Sequence, residues 1–375
     1  MWLVAAAAAC TPGGSAAGRS QASPAAEGAR PRAPSALVGR SWAEADALFR
    51  SDPRWLGADG AYSVPLGGDR VLWLFGDTLL AASPGDDRSE AVLVHNSVAI
   101  QHGRCPTDAT LRFHWGERDG SPAAFLPGEA PGWLWPLHGL VLEGELTLFF
   151  LREMPADGPL GFRTVGWQAF RVADPAAPPD TWSPEPLSGF DSPFPVVVGS
   201  TVLAAGPHVL AYAVREPGNH DVYLLRWERR AFVAGDLGDP RWWDGERGWV
   251  APKDLRSAPE AVFRDGQPEL SVQRVPGMGY VAAQTLGFGA TTIGSRTAPA
   301  PQGPWTAPAP AFRPPESERE GVLVYAAKGH AGLGCADSPW DLILTYVANT
   351  EELADLVAAP DLYYPRFVGV RAAPR

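Results

Sequence analysis

Short apolar segments separated by glycine, proline and aspartate recur along this sequence and leave few folds open to it. The clearest case is Gly57 to Thr78, in which Ala61 to Leu66 and Val71 to Phe75 flank the turn Gly67-Gly68-Asp69. The glycines of this turn accept the positive φ that a tight hairpin needs. The stretch therefore predicts a β-hairpin whose second strand is buried on both faces.

Similar strand pairs recur as far as residue 370 and fall into five groups. Helical periodicity is rare before Thr350, and only Ser41 to Arg50, with Ser41 as a candidate N-cap, predicts a short helix. Repeated small antiparallel sheets are typical of a β-propeller, because each sheet buries its faces against its neighbours. The sequence thus predicts an all-β, five-bladed β-propeller, and a two-domain β-sandwich is the alternative.

Composition supports a β-rich globular domain and argues against a nucleic-acid partner and against a transmembrane helix. Hydrophobic residues make up 45% of the chain, and Gly 41, Pro 39 and Trp 15 indicate many turns and many aromatic side chains. The formal net charge of -11 argues against nucleic acid, whose phosphates need a basic face. No apolar run reaches the roughly 20 residues of a transmembrane helix.

The N-terminus, M-W-L-V-A-A-A-A-A-C, resembles a bacterial lipoprotein signal in which Cys10 would be lipidated. The alternative is an Ala-rich unfolded terminus, since no Lys or Arg precedes the apolar core. We predict a signal over residues 1–10, a flexible Ala/Gly/Ser/Pro tether over 11–40 and a single domain over 41–375. The expected location is the cell envelope, periplasmic or at the surface, or the secreted medium, with membrane contact only through the lipid.

Two further cysteines, Cys105 and Cys335, lie far apart in the sequence. In an oxidising envelope compartment these two side chains could pair. The absence of C-x-x-C and of Cys/His clusters argues against a zinc site. No cofactor is predicted, although an axial cation such as calcium stays open.

Six short motifs follow one another in a familiar order. They are G-A-D-G at Gly57 to Gly60, W-L-F-G-D-T at Trp73 to Thr78, H-N-S-V-A-I at His95 to Ile100, E-L-S-V at Glu269 to Val272, S-R-T-A-P-A-P-Q-G-P-W at Ser295 to Trp305, and Y-A-A-K-G-H at Tyr325 to His330. With them the chain resembles a family of secreted bacterial five-bladed propellers long catalogued as a domain of unknown function. Some members are endo-acting D-arabinanases, and the architecture is similar to that of five-bladed furanosidases that cut arabinan, xylan and fructan.

The resemblance implies a central funnel lined by the innermost strand of each blade. It places Asp59 where the general base, or in some relatives the nucleophile, is found, and Glu269 where the general acid is usual. Glycoside cleavage needs one protonated and one ionised carboxyl group, and the apolar neighbours of Glu269 would raise its pKa by desolvation. Asp77 is a third candidate, although a Gly-Asp-Thr turn more often uses the carboxylate to accept backbone N–H bonds.

Five other side chains are candidates for substrate binding. Asn96, His330 and His138 are polar groups near apolar strands, where the alternative is a hydrogen bond satisfied within the protein. Trp135 and Trp243 could stack on a sugar ring, although most tryptophans of a propeller pack between blades. The stretch Arg241 to Trp249 is the better candidate for a loop at the rim of the funnel.

The leading hypothesis is a glycoside hydrolase-like protein that acts on a polysaccharide, with arabinan-type furanosides as one candidate. The rival hypothesis is a non-catalytic propeller that binds carbohydrate or protein, because the same fold serves both purposes. The expected partner is a carbohydrate substrate or ligand, with protein as the alternative under the rival hypothesis, and the expected state is a monomer.

Overall fold

The structure, a computed structural model, describes residues 36–83, 85–158, 160–192, 194–287, 289 and 291–373. Cys10, the predicted signal and most of the predicted tether lie outside the described residues. Within them the regular secondary structure is mostly antiparallel β-strand, which confirms the all-β class. The helical segments are all short: α1 Ala43–Asp46, α2 Arg229–Val233, α3 Leu353–Ala358 and the 3₁₀ turns Ala47–Arg50, Pro179–Thr181, Gly245–Arg247, Pro252–Asp254 and Pro315–Glu318.

The first part of the chain forms two complete sheets and contributes one strand, Leu37–Ser41, to another. Its strands are β1 Leu37–Ser41, β2 Trp55–Ala58, β3 Tyr62–Gly67, β4 Arg70–Phe75, β5 Thr78–Leu80, β6 Val92–Val94, β7 Ser97–His102 and β8 Thr110–His114. Sheet 1 has the order β3-β4-β7-β8, and β2, β5 and β6 form a small side sheet. The predicted hairpin is the pair β3–β4, and the glycines of its turn have φ values of 95° and 60°.

Two further sheets follow in chain order. Their strands are β9 Gly116–Arg118, β10 Ser121–Ala123, β11 Trp133–Leu142, β12 Glu145–Pro155, β13 Phe162–Val172, β14 Glu185–Leu187, β15 Val197–Ala205, β16 His208–Val214, β17 Val222–Glu228, β18 Arg241–Trp243 and β19 Trp249–Val250. Sheet 2 runs β11-β12-β13-β14 and sheet 3 runs β15-β16-β17-β18-β19, while β9 and β10 pair with each other. The stretch predicted as a rim loop, Arg241 to Trp249, supplies the outer strand β18 and the start of β19.

The last part of the chain forms sheets 4 and 5. Its strands are β20 Ser271–Val275, β21 Gly279–Leu286, β22 Thr292–Ala298, β23 Ala309–Phe312, β24 Val322–Gly329, β25 Leu342–Thr350 and β26 Arg366–Ala372. Sheet 4 runs β20-β21-β22-β23. Sheet 5 runs β24-β25-β26-β1, so that a strand from near the N-terminus completes the last sheet.

Hydrogen bonds near the first strands connect each of the five sheets to the next and the last to the first. The connections are His138 to the backbone of Ser63, Val202 N–H to His138 Nδ1 at 3.1 Å, Val272 N–H to Thr201 Oγ1 at 2.9 Å, Gly329 N–H to Ser271 Oγ at 2.6 Å and Ser63 Oγ with His330 Nδ1 at 2.8 Å. The first strands of these sheets therefore lie side by side around one axis.

The N-terminal boundary of the domain differs from the prediction. Residues 37–40 of the predicted tether are strand, because Leu37 to Ser41 pairs antiparallel with Val368 to Ala372. Ser41 therefore ends β1 and does not cap the helix, whose N-cap is Trp42 without a side-chain hydrogen bond. The short helix itself is present over Ala43–Asp46 and continues as a 3₁₀ turn. Among the described residues, no helix has the length and apolar character needed to cross a bilayer.

This pairing gives a testable boundary. We expect a chain that begins at Ala36 to unfold at the same temperature as the full sequence, because residues 1–10 are predicted as a signal and residues 11–35 as a tether with no apolar periodicity. A chain that begins at Trp42 lacks β1 and leaves one edge of β26 unpaired, so its melting temperature should fall by several degrees. Equal melting temperatures for the two chains, measured by circular dichroism, would show that β1 does not contribute to stability.

Candidate active site

A cavity lies at the chain segments that lead into the first strands of sheets 1 and 4. Four carboxyl groups and two aromatic rings take part in its lining: Asp59, Glu153, Glu216, Glu269, Trp135 and Phe162. Asp59 directly follows β2, and Glu269 lies two residues before the start of β20. Asp59 and Glu269, the two carboxyl groups that the family resemblance indicated as base and acid, thus line the same cavity.

The backbone around Asp59 is fixed by the turn that follows β4. The Asp59 carbonyl accepts the N–H of Gly76 at 3.0 Å, and the Asp59 N–H donates to the carbonyl of Asp77 at 3.3 Å. The carboxylate lies so close to this turn that a Cβ at Gly76 would stand 2.3 Å from Asp59 Oδ1. Glycine at position 76 is therefore required by the approach of the Asp59 side chain.

A short relay of hydrogen bonds orients the Asp59 carboxylate. Asn349 Nδ2 donates to Tyr325 Oη at 3.3 Å, and Tyr325 Oη donates to Asp59 Oδ2 at 2.9 Å. Because the Tyr325 oxygen accepts from the amide, its own proton is directed at Asp59. A donated hydrogen bond favours the ionised form of a carboxyl group.

The Asp59 side chain is only 7% exposed, and its surroundings oppose its charge. Burial, followed by the nearby Asp77 and Glu269 carboxyls, raises the pKa of Asp59 well above its usual value, while Tyr325 and Lys328 act in the opposite direction. Burial and the two neighbouring carboxyl groups thus favour the uncharged form of Asp59, and the Tyr325 hydroxyl and the Lys328 ammonium favour its charged form.

Glu269 is the more accessible member of the pair, with a side chain 25% exposed. Burial raises its pKa, and the ammonium of Lys328 lowers it. Its Oε1 lies 3.8 Å from Lys328 Nζ, which is too long for a direct hydrogen bond. Among the residues that the structure describes, no hydroxyl donates to Glu269 in the way that Tyr325 donates to Asp59.

Lys328 is the buried cation of the cluster and one of only two lysines in the chain. Its ammonium donates to the carbonyl of Gly60 and, at 2.7 Å, to that of Ala326, and it lies 4.4 Å from the centre of the Tyr62 ring. Burial lowers the pKa of Lys328 to about 8, against the attraction of Glu269 and Asp59. Its position therefore supplies one positive charge between the two carboxyl groups.

Asp77 lies beside this cavity, and the hydrogen-bond partners of its carboxylate differ from those predicted. Its Oδ1 accepts the indole N–H of Trp135 at 2.7 Å and lies 2.9 Å from His95 Nδ1. The predicted partners were backbone N–H groups, and the hydrogen bonds observed come instead from two side chains. Asp77 thereby fixes Trp135, whose ring lines the cavity.

The structure does not place the other proposed substrate-binding residues in the lining of this cavity. The Asn96 amide is satisfied by backbone atoms of Leu126 and Leu134 at 2.7–2.9 Å. His330 bonds Ser63 and Thr345, both at 2.8 Å, and His138 accepts the N–H of Val202. For these three residues the polar groups are used inside the fold, where they connect neighbouring strands and sheets.

Trp243 also lies elsewhere, next to Trp249 with ring centres 5.5 Å apart. Of the five proposed binding residues, Trp135 is the one that reaches the cavity, where its ring stands edge-on to Phe162 at 4.7 Å. Sheet 3 uses Trp243 instead as part of its outer strand β18.

Sequence reasoning gave no role to Glu153, Glu216, His220, Tyr325 and Lys328. One signal was available for Lys328, because a lysine is rare in this chain and stands here after an apolar run. The others are spread over three sheets and could not be grouped without the fold. Among the described residues, no group of three or more His, Cys, Asp or Glu side chains is arranged to hold a metal ion.

Residues 43–372 match a protein family described as Domain of unknown function (DUF5005). The chain belongs to this family. No curated protein matches the sequence. This chain shares its fold with a solved structure described as a "putative hydrolase" from Bacteroides ovatus. The TM-score is 0.69 and the identity is 15%, over 90% of this chain and 93% of the other.

Two weaker similarities complete the comparison. A xylan β-1,4-xylosidase from Bacillus halodurans has a TM-score of 0.46 at 12% identity, over 85% of the DUF5005 chain and 53% of its own. A GH43_1 enzyme from Xanthomonas citri complexed with xylotriose has a TM-score of 0.40 at 15% identity, over 88% and 93% of the two chains. Scores this low do not bear on the activity of the chain.

Proposed function

We propose that this protein is a glycoside hydrolase built on a five-bladed β-propeller, with sheets 1 to 5 as the blades. The single observation that carries the proposal is that Asp59 and Glu269, from opposite parts of the sequence, line one cavity together with Trp135. Two carboxyl groups beside an aromatic ring are what cleavage of a glycosidic bond requires. The closed series of hydrogen bonds between the five first strands supports the blade count.

The roles follow from the environment of each carboxyl group. Glu269 is the general acid, because burial raises its pKa and, among the described residues, no hydroxyl donor stabilises its charged form. Burial raises the pKa of Asp59 as well, so the hydrogen-bond geometry, and not the pKa, separates the two roles. Asp59 is the general base or the nucleophile, because Tyr325 donates to Oδ2 and so stabilises the carboxylate that the reaction needs. When Glu269 donates its proton to the leaving oxygen, its carboxyl group becomes negatively charged. The nearby Lys328 ammonium offsets this charge.

Asp77 acts in this scheme as a positioning residue. Its carboxylate accepts the Trp135 N–H and thereby sets the angle of the ring on which a sugar would stack. Its charge also contributes to the raised pKa of Asp59.

The setting of the protein is part of the proposal. The Cys105–Cys335 disulfide supports an oxidising compartment, in keeping with the expected envelope or secreted location and with a lipid anchor at Cys10. The substrate would be a polysaccharide, with arabinan-type furanosides as the first candidate, and the protein would act as a monomer without a cofactor.

The proposal is tested by incubating the domain that begins at Ala36 with arabinan, arabinogalactan, xylan, levan and polygalacturonate. Newly formed reducing ends are measured, and products are separated by chromatography. We expect hydrolysis of at least one polysaccharide, and the Asp59→Asn protein serves as the control for contaminating activity. Retention of a polysaccharide in affinity electrophoresis, with no cleavage of any of them, would instead favour the non-catalytic binding protein.

A further inference from the structure

A second carboxyl group of the cavity, Glu153, has no role in the mechanism proposed above. It lies near the end of β12, where the pairing with β13 shifts between Arg152 and Glu153. Arg152 stands opposite Gly166 and Glu153 opposite Thr164, so one residue of β13 is left over. Such a bulge redirects the side chains next to it. Glu153 is turned inward here, is 1% exposed and lines the same cavity as Asp59 and Glu269.

The two oxygens of the Glu153 carboxyl group are in different situations. Oε1 accepts the hydroxyl proton of Thr164 at 2.7 Å. Oε2 is fully buried and has no hydrogen-bond partner in the described part of the protein. A buried polar atom without a partner is costly, and native proteins keep few of them outside functional sites. The free oxygen therefore indicates a group that a ligand completes.

The charges around Glu153 determine what its free oxygen can do. Burial raises the pKa of Glu153 to about 8, and the neighbouring Glu216 and Asp77 carboxyls add to this, while the Thr164 hydroxyl lowers it. Glu216 in turn has Oε2 2.8 Å from His220 Nε2. At neutral pH Glu153 is then an uncharged acid whose O–H stands on Oε2, since Oε1 already accepts a proton from Thr164.

The rest of the cavity favours an uncharged partner for this donor. Besides Glu153, the lining contains the acidic groups Asp59, Glu216 and Glu269, and the nearby basic groups are His220 and Lys328. A uronic acid or a phosphorylated sugar would add a negative charge to this acidic surrounding at a cost in binding free energy. A sugar hydroxyl, in contrast, accepts a hydrogen bond from a neutral acid without a change in net charge.

We propose that Glu153 binds a hydroxyl group of an uncharged sugar through its free carboxyl oxygen, and that it makes the cavity selective for neutral over anionic glycans. The inference rests on the proposed function only in treating the cavity as a sugar site. It names a binding residue from sheet 2, separate from the reacting pair on sheets 1 and 4.

The test measures binding in proteins that do not turn over. Glu153→Ala and Glu153→Gln are each combined with Glu269→Gln, and the parent is the Glu269→Gln protein. The probes are arabino-oligosaccharides and xylo-oligosaccharides, which are uncharged, and oligogalacturonides, which are anionic; dissociation constants are measured by calorimetry between pH 6 and pH 9.5. Glu185→Gln, an exposed change on the outer strand of the same sheet, is the matched control.

We expect the parent to bind an uncharged oligosaccharide more tightly than the oligogalacturonide. Glu153→Ala should weaken that binding by roughly tenfold to hundredfold, because a buried hydrogen bond is lost. Glu153→Gln should restore most of the affinity, because an amide N–H replaces the acid O–H. As the pH passes about 8, binding by the parent should weaken more than binding by Glu153→Gln, because the pKa of Lys328 is also about 8 in both proteins and only the parent loses the Glu153 proton as well.

Three results would overturn the inference: tighter binding of the anionic probe, unchanged affinity in Glu153→Ala, or a Glu153→Gln protein as weak as Glu153→Ala. Circular dichroism confirms that each variant is folded. The inference and the proposed function fail separately. Glu153-dependent binding without hydrolysis of any polysaccharide would contradict the hydrolase, and hydrolysis of polygalacturonate alone would contradict the selectivity.

Discussion

The Asp59→Asn protein is expected to lose hydrolytic activity by a factor of about 10²–10⁴, which is what general acid–base assistance typically contributes. The fold should survive, since burial and two neighbouring carboxyls already oppose the charge on Asp59. The amide oxygen can still accept the hydroxyl of Tyr325. Initial rates on the polysaccharide found in the panel, together with the melting temperature, measure both effects.

Glu269→Gln should show a loss of similar size with one difference. A nitrophenyl glycoside carries a leaving group that needs little protonation, so it should partly restore the activity of Glu269→Gln and leave Asp59→Asn inactive. Asp69→Asn is the matched control for Asp59→Asn. Asp69 is an exposed carboxyl group in the turn of the β3–β4 hairpin, and Asp59 lies just before the start of that hairpin. Full activity in Asp59→Asn, or rescue of both variants by the activated substrate, would refute the assignment of roles.

Removal of the Cys105–Cys335 disulfide is expected to destabilise the domain strongly. The two cysteines are 230 positions apart and connect the β7–β8 loop of sheet 1 to the loop that follows β24 in sheet 5. A cross-link typically contributes about 2–4 kcal/mol by restricting the unfolded chain. For the double variant Cys105→Ser, Cys335→Ser this corresponds to a melting temperature lower by roughly 3–6 °C.

The control for this prediction is a reducing agent. It should lower the melting temperature of the wild-type domain that begins at Ala36 and leave the double variant unchanged. Thiol titration should find no free cysteine in that domain before reduction and two afterwards. Two reactive thiols in the untreated protein, with a melting temperature that reductant does not change, would contradict the bond.

The all-β fold class could be predicted from local sequence patterns. The completion of sheet 5 by the N-terminal strand β1 could not. The hairpin from Tyr62 to Phe75 has a turn signal and an apolar strand, so its pairing could be predicted. The strand Leu37–Ser41 has no such signal, because its partner is Arg366–Ala372 at the opposite end of the described chain. A strand that depends on a distant partner resembles a tether in sequence, and this explains why the predicted domain began at residue 41.

The candidate site was predictable only in part, for reasons that depend on β-bulges. Tyr325 and Lys328 are three positions apart, so a regular strand would point them to opposite faces. Pairing in β24 shifts between these residues, with Ala326 at a φ of 59°, and both side chains reach the carboxyl pair. Glu153 lies next to another such shift, in which β13 carries the extra residue. Such irregularities arise from tertiary packing, which a period of two in the sequence does not reveal.

Asn96, His138 and His330 were predicted to bind substrate, but they do not line the cavity. Polar residues near apolar strands are frequent in binding sites, yet here they satisfy backbone groups or connect neighbouring strands and sheets. The sequence could not separate these uses, since both require a buried polar group with a partner.

The pairing of β1 with β26 has a consequence for the order in which the protein is made. The ribosome releases β1 long before β26, so sheet 5 cannot be completed until β26 has emerged. Until then β24 and β25 can pair only with each other, and β1 waits with unpaired N–H and C=O groups. A weakened β1 should therefore reduce the yield of folded protein from the cell, while the molecules that do fold keep their normal turnover.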